Sequence, residues 1–198
     1  MSLDKINQYH IILASQSPRR QYLMQEIGIN YEIQVREVEE QWPEGLRREE
    51  IPLFLCELKS EAFHPRDFRD DTILITADTI VFMDEEVVGK PRDRDDAIQI
   101  LKKLSGRKHE VITGVCLRTN KLKHSFTAES EVWFRPFAPD EIEWYIDTYK
   151  PYDKAGAYGI QEWIGYVGIE RITGSFYNVM GLPTQRLYIE LLKLIGSM

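Results

Sequence analysis

No stretch of this 198-residue sequence approaches the roughly 20 consecutive apolar residues of a membrane-spanning helix. The start, "MSLDKINQYH", is polar, and the run "IILA" behind it is too short for the core of a secretory signal. Cysteine is scarce. Cys56 and Cys116 are the only two, far apart and each inside an apolar stretch, which argues against a disulfide scaffold and predicts buried free thiols in a reducing compartment. The expected location is the cytoplasm. Positive charge is in deficit as well: a formal net charge of −7 argues against a nucleic-acid polymer or an anionic membrane as partner. An anionic small ligand would have to be met locally, by a few lysines and arginines. The four histidines (His10, His64, His109 and His124) lack zinc-ligand spacing. There is no GxxxxGK[ST] loop, no dinucleotide-binding glycine fingerprint and no serine in a nucleophile elbow.

The length suits a single domain over residues 1–198, whole or split into two lobes around a cleft. "YHIILAS" reads as a buried strand, after which Ser17 can cap a helix that has Pro18 at its first position and Gly28 at its end. "YEIQV" reads as a second strand. "EEIPLFLCELKSEAF" reads as a helix whose apolar side carries Ile51, Phe54, Leu55, Leu58 and Ala62. "TILITADTIVFM" is rich in β-branched residues and predicts a strand, then a turn at "DEE" and a short return strand at "VVGKP". A helix over "RDRDDAIQILKKLSG", a hairpin from "HEVITGVCLRT" to "HSFTAESEVWFRPF", and a helix opened by Pro139 follow. "KPYDKAGAYGIQ" is a loop, "VGIERIT" a last strand and "PTQRLYIELLKLIG" a closing helix. Strands and helices mix without strict alternation, so the expected fold is α/β, with a mixed, curved β-sheet flanked by helices.

Chemistry-bearing residues interrupt this pattern at a few points. "LASQSPRRQYL" is a strand, a turn and a helix start, a geometry that offers backbone N–H groups and a positive dipole end to an anion. Arg19 and Arg20 add forked guanidiniums; the plainer alternative is a helix cap with two solvated arginines. Asp78 stands among apolar residues in "LITADTIVF", where a carboxylate needs a metal, a cation or a reaction to serve, or a structural partner. Glu39 and Glu40 can supply a second carboxylate for magnesium, or belong to a solvated loop. Lys59 lies at the border of a helix face, Lys90 sits in "GKP" and Lys154 opens "KAGAYG"; each alone is a surface charge, and together they suit a phosphate chain.

Taken in order, "SQSPRR", "ADT", "GKPRD", "DKAGAYGIQ" and "GSFYNVMGLP" resemble the Maf family, the septum-formation-inhibitor homologues, over nearly the whole chain. The resemblance implies an α/β fold with a deep cleft between two lobes, a divalent metal (Mg2+ or Mn2+), a homodimer, and nucleoside-triphosphate pyrophosphatase activity. Position by position, it makes Asp78 the catalytic carboxylate, described as a proton acceptor, and Glu40 a second acid near the metal, with Asp78 itself a candidate metal ligand. It makes Ser15, Arg20, Lys59 and Lys90 the triphosphate-binding positions; Ser17 and Lys154 are added as candidate substrate contacts beside them. Two positions depart from the family's pattern: threonine precedes "ADT" where glycine is frequent, and "ELKSEAF" is a loose version of the usual surroundings of Lys59.

The family's branches differ at pocket positions. The dTTP/UTP branch carries SPRR, ADT and YGIQ, while a sister branch acting on 7-methyl-GTP looks like SPWR, SDQ and FKSE. Arg19, Thr79 and Gln161 are of the pyrimidine type here. Gln161 offers both a donor and an acceptor, which suits the edge of uracil or thymine. The reading that follows is a dTTP and UTP pyrophosphatase of nucleotide-pool housekeeping. Its rivals are a nucleotide-binding regulator of septum formation and a 7-methyl-GTP pyrophosphatase.

Overall fold

A computed structural model describes residues 2–198. The chain divides into two compact units. One comprises the residues up to Asp78, Thr113–Ala128 and Gly181–Met198; the other comprises Thr79–Ile112 and Glu129–Met180. The division falls inside three strands, and the first break lies between Asp78 and Thr79. The sheet is mixed, with strand order β2 (Glu32–Ile33), β1 (His10–Leu13), β3 (Thr72–Met83), β5 (Lys108–Arg118), β6 (Lys123–Phe134), β7 (Ile169–Thr173), and with β4 (Glu86–Val88) paired to β3.

In the first unit, α1 (Ser2–Ile6) leads to β1 (His10–Leu13), whose last three residues are buried. Ser17 then caps α2 (Pro18–Glu26) with its side chain, and Gly28, at a φ of +73°, takes the chain away from the helix end. The predicted second strand shrinks to β2 (Glu32–Ile33), parallel to β1 and exposed. It is an edge strand, and past Ile33 the Gln34 N–H still donates to the Leu13 carbonyl of β1 at 3.3 Å before the chain enters the loop. Helix α3 (Glu50–Glu61) and β3 (Thr72–Met83) stand where the sequence predicts them, and β3 runs parallel to β1 with Leu13 opposite Ile75. α8 (Thr184–Gly196) closes this unit.

The buried face of α3 differs from the expected one. Ile51, Pro52, Leu55, Cys56 and Ser60 are buried, while Phe54, Leu58 and Ala62 are only half-buried. Gly114, in β5 (Lys108–Arg118), explains the docking. A Cβ there would sit 2.3 Å from the Pro52 carbonyl oxygen, so strand and helix meet backbone to backbone. Gly114→Ala should therefore lower the stability by about 2–3 kcal/mol, read as the midpoint of urea unfolding, because neither backbone can rotate out of the way. A midpoint equal to the parent's would mean that α3 shifts at no cost.

In the second unit, β3 turns back into β4 (Glu86–Val88) through Asp84 and Glu85, both at positive φ, the geometry of a tight hairpin. Helix α4 (Arg94–Leu104) is capped by the Asp93 side chain, 2.9 Å from the Asp96 N–H, and packs on α5 (Pro139–Tyr149). β6 (Lys123–Phe134) pairs antiparallel with β7 (Ile169–Thr173), with a register irregularity at Trp133/Phe134. Two short helices, α6 (Trp163–Gly168) and α7 (Phe176–Met180), escape the sequence pattern because each offers barely a turn or two of periodicity. Both thiols are free and buried, and burial raises the pKa of each. Among the described residues no helix is long and apolar enough to cross a membrane.

Candidate active site

Strand register assembles the first cluster. Leu13 lies beside Ile75 on the parallel neighbour, so the turn that leaves β1 stands level with the residues that follow Ile75, among them Asp78. The carboxyl ends of parallel strands are where α/β sheets bind ligands. Ser15 is buried in that turn, and its Oγ accepts from the Ser17 N–H at 3.2 Å and from Arg20 Nη1 at 3.5 Å. The Ser17 hydroxyl accepts from the Arg20 N–H at 3.5 Å, and Pro18 has no N–H. The cap therefore occupies one of the helix-start donors expected for an anion, and the guanidiniums carry more of that capacity than the backbone.

Arg20 is also anchored far along the chain. Besides Ser15, its Nε donates to the Gly181 carbonyl at 2.8 Å. Gly181 has a φ of +120°, a region glycine enters readily, and it belongs to the "GSFYNVMGLP" stretch far along the chain. Burial, the largest influence, pulls the Arg20 pKa below the ordinary arginine value, while Asp78 and then Glu40 act against it. The group remains a cation at any physiological pH.

Asp78 is 7% exposed, and its Oδ1 accepts from the Lys59 ammonium. Two periodicities make this pair. On β3, Thr76 and Asp78 point to the same face. On α3, Cys56 and Lys59 are three apart and share a side. Thr76 Oγ1 donates to the Cys56 carbonyl at 2.6 Å, and that bond registers the helix on the strand so that Lys59 meets Asp78. Lys59 lies four residues beyond Leu55 on the buried stripe and so turns inward rather than bordering the face. The same ammonium is 2.8 Å from Glu40 Oε1. Glu39 instead hydrogen-bonds Gln41, so only one of the two candidate glutamates joins the cluster. Among the described residues no three histidine, cysteine or acidic side chains gather as a complete metal cage. Glu40 and Asp78 form a two-carboxylate set that holds one cation.

The other predicted residues lie in the second unit. Thr79 is half-buried on β3, and Lys90 is exposed just beyond β4. The "GKP" and "KAGAYG" stretches are joined by the Gly156 N–H, which donates to the Gly89 carbonyl at 3.1 Å. Lys154 is buried and engages Asp153 Oδ1 at 2.8 Å and Glu162 Oε1 at 3.2 Å. Tyr145 donates to Glu162 Oε2. Gln161 is partly buried, and its Oε1 is enclosed with no hydrogen-bond partner among the described residues. Glu162 and Tyr145 are not legible in the sequence, since an acid beside Gln161 and a tyrosine inside a helix carry no local signal.

Chemically, the first cluster can hold a cation between carboxylates next to a fixed guanidinium. The second offers a buried amide acceptor with an unmet valence. The chain belongs to the Maf-like protein family, whose sequence model matches residues 10–194. It is 52% identical to a dTTP/UTP pyrophosphatase of Phocaeicola vulgatus, over 97% of this chain and 100% of that one. It is 50% identical to a protein of the same name from Parabacteroides distasonis, over 96% of this chain and 98% of that one. A partial structural overlap exists with the Ham1 protein of Staphylococcus aureus: TM-score 0.42, 15% identity, 63% of this chain and 71% of that one.

Proposed function

We propose that this chain hydrolyses dTTP and UTP to the nucleoside monophosphate and pyrophosphate, a housekeeping reaction of the nucleotide pool. The observation that carries the reading is the single ammonium of Lys59 shared by Glu40 and the buried Asp78, in a chain about half identical to proteins named for this activity. In the reaction, water adds to the α-phosphorus and the bond from that phosphorus to the α–β bridging oxygen breaks. The water proton goes to the Asp78 carboxylate, and the electron pair of the broken bond leaves on pyrophosphate. Arg20, held by Ser15 and Gly181, meets phosphate oxygens and offsets charge developing on the leaving group. Lys59 and Lys90 add positive charge for the triphosphate. Arg19, Thr79 and Gln161 choose the base.

A divalent cation belongs to this reading, and the residues fit one. Glu40 and Asp78 already converge on a cation, and two carboxylates completed by phosphate oxygens are the donor set magnesium takes. When bound, the ion neutralises phosphate charge and polarises the phosphorus for attack. We further read the protein as a cytoplasmic homodimer.

The test is pyrophosphate release from a nucleotide panel with Mg2+ or Mn2+. UTP and dTTP should be turned over best. Exchanging Arg19, Thr79 and Gln161 for Trp, Gln and Glu should shift the preference towards 7-methyl-GTP by about tenfold or more. An unchanged preference would refute the roles given to these three residues. Turnover of no nucleotide would favour the regulator of septum formation, and a native preference for 7-methyl-GTP would favour the sister activity.

A further inference from the structure

The residues around Gln161 form a closed frame. Lys154 and Glu162 bracket the stretch "AGAYGIQ", and their ion pair ties its two ends together. The side chains are 9% and 15% exposed, so the pair is largely withdrawn from water and its geometry is restrictive. Both Glu162 oxygens are engaged, Oε1 by Lys154 and Oε2 by the Tyr145 hydroxyl. That hydroxyl in turn accepts the Gly159 N–H at 3.0 Å. Burial, and next the bond to Glu162, keep the phenol protonated, so Tyr145 acts as a fixed donor to the carboxylate.

Within the frame the backbone has no slack. A Cβ on Gly159 would stand 2.7 Å from the Glu162 carboxyl carbon, and one on Gly165 would stand 1.8 Å from the Ile160 carbonyl oxygen. Gly156 and Ala157 both have positive φ, +73° and +58°; alanine holds that conformation only where its surroundings impose it. Gln161 sits at the end of this stretch with a buried acceptor that nothing among the described residues satisfies.

An unsatisfied amide oxygen suits a ligand donor such as the N3–H of uracil or thymine. A freely turning glutamine amide would equally accept cytosine, whose edge has donor and acceptor exchanged. Preference for one pyrimidine edge therefore requires the amide to be held by its frame. We infer that Glu162 is a positioning residue for base selection: with Lys154 and Tyr145 it clamps residues 154–162, and Lys154 serves this clamp instead of the triphosphate. The inference rests on the pyrimidine pyrophosphatase reading above.

The experiment compares kcat/KM for UTP and CTP, together with inhibition by inorganic tripolyphosphate, which has no base. Glu162→Ala should lower the UTP-over-CTP ratio about tenfold, and a Gln161→Ala/Glu162→Ala pair should fall no further than Gln161→Ala alone. Tyr145→Phe, which keeps the ring, should lower the ratio in the same direction. Glu162→Gln keeps an acceptor for the Tyr145 hydroxyl and should recover part of the loss. In all of these, and in Lys154→Met, inhibition by tripolyphosphate should stay within about twofold of the parent. Hydrogen exchange over residues 155–161 should accelerate in Glu162→Gln and Tyr145→Phe. A UTP-over-CTP ratio unchanged in folded Glu162→Ala or Tyr145→Phe overturns the inference. So does a tenfold weaker tripolyphosphate inhibition in Lys154→Met, which would make that lysine a phosphate ligand. A parent that uses UTP and CTP equally overturns it while leaving the pyrophosphatase reading intact. A parent that turns over neither UTP nor dTTP removes both.

Discussion

Asp78→Asn is expected to reduce UTP and dTTP turnover by about a thousandfold while leaving the protein folded. The substitution keeps the shape of the side chain and an oxygen that can still accept from Lys59, so the helix-to-strand register survives. What disappears is the charge able to take a proton and to share a cation with Glu40. Because Lys59 keeps its 2.8 Å contact with Glu40, no buried ammonium is stranded. Binding of UTP, measured by calorimetry with metal present, should change far less than kcat, since Arg20 and its contacts with Ser15 and Gly181 are untouched. Turnover within about a factor of ten of the parent would remove Asp78 from the chemistry.

The largest effect on stability is expected from Lys59→Met. The side chains of Lys59 and Asp78 are 15% and 10% exposed, and removing the cation leaves a buried carboxylate facing a second one. Breaking a buried pair by deleting one partner costs about 3–5 kcal/mol. Glu40 is 45% exposed and can turn towards water, which points to the lower end of that range. For a chain of this size, about 3 kcal/mol corresponds to a fall in melting temperature of roughly 6–12 °C. Millimolar Mg2+ should restore more of the loss in the variant than it adds to the parent, because the ion takes the place of the missing ammonium between the carboxylates. A melting temperature within about 1 °C of the parent in metal-free buffer would show that Asp78 does not depend on Lys59.

Which residues declare themselves in the sequence follows from how far their partners lie along the chain. The Ser17 cap, Pro18 at the helix start and the Asp93 cap each bond to a backbone N–H three residues on, or use no bond at all, so their role is written in adjacent letters. Strand β3 is legible through its β-branched run, and Asp78 through the break it makes in that run. Lys59 is different. Its inward direction depends on which side of α3 docks, and Phe54, Leu58 and Ala62 make a neighbouring side, which shares Ile51 and Leu55, look equally apolar. Gly114 and the Thr76 bond to Cys56 choose the side, through backbone contact at distant positions. Glu39 and Glu40 are adjacent acids, and only the path of the loop separates the one that reaches Lys59 from the one that bonds Gln41.

The sequence alone determined the α/β class, the order of the longer elements, the buried thiols and, through five ordered motifs, the family. These rest on local periodicity and on short strings whose residues act together as neighbours. Tertiary structure alone decided that one lysine is shared by two carboxylates, that Arg20 is anchored on Gly181, and that Lys154 is matched by Glu162 and Asp153. A charged side chain in a sequence has only a sign. Its partner, and so its task, is set when burial makes an unpaired charge too costly and the fold brings a second group within hydrogen-bond reach.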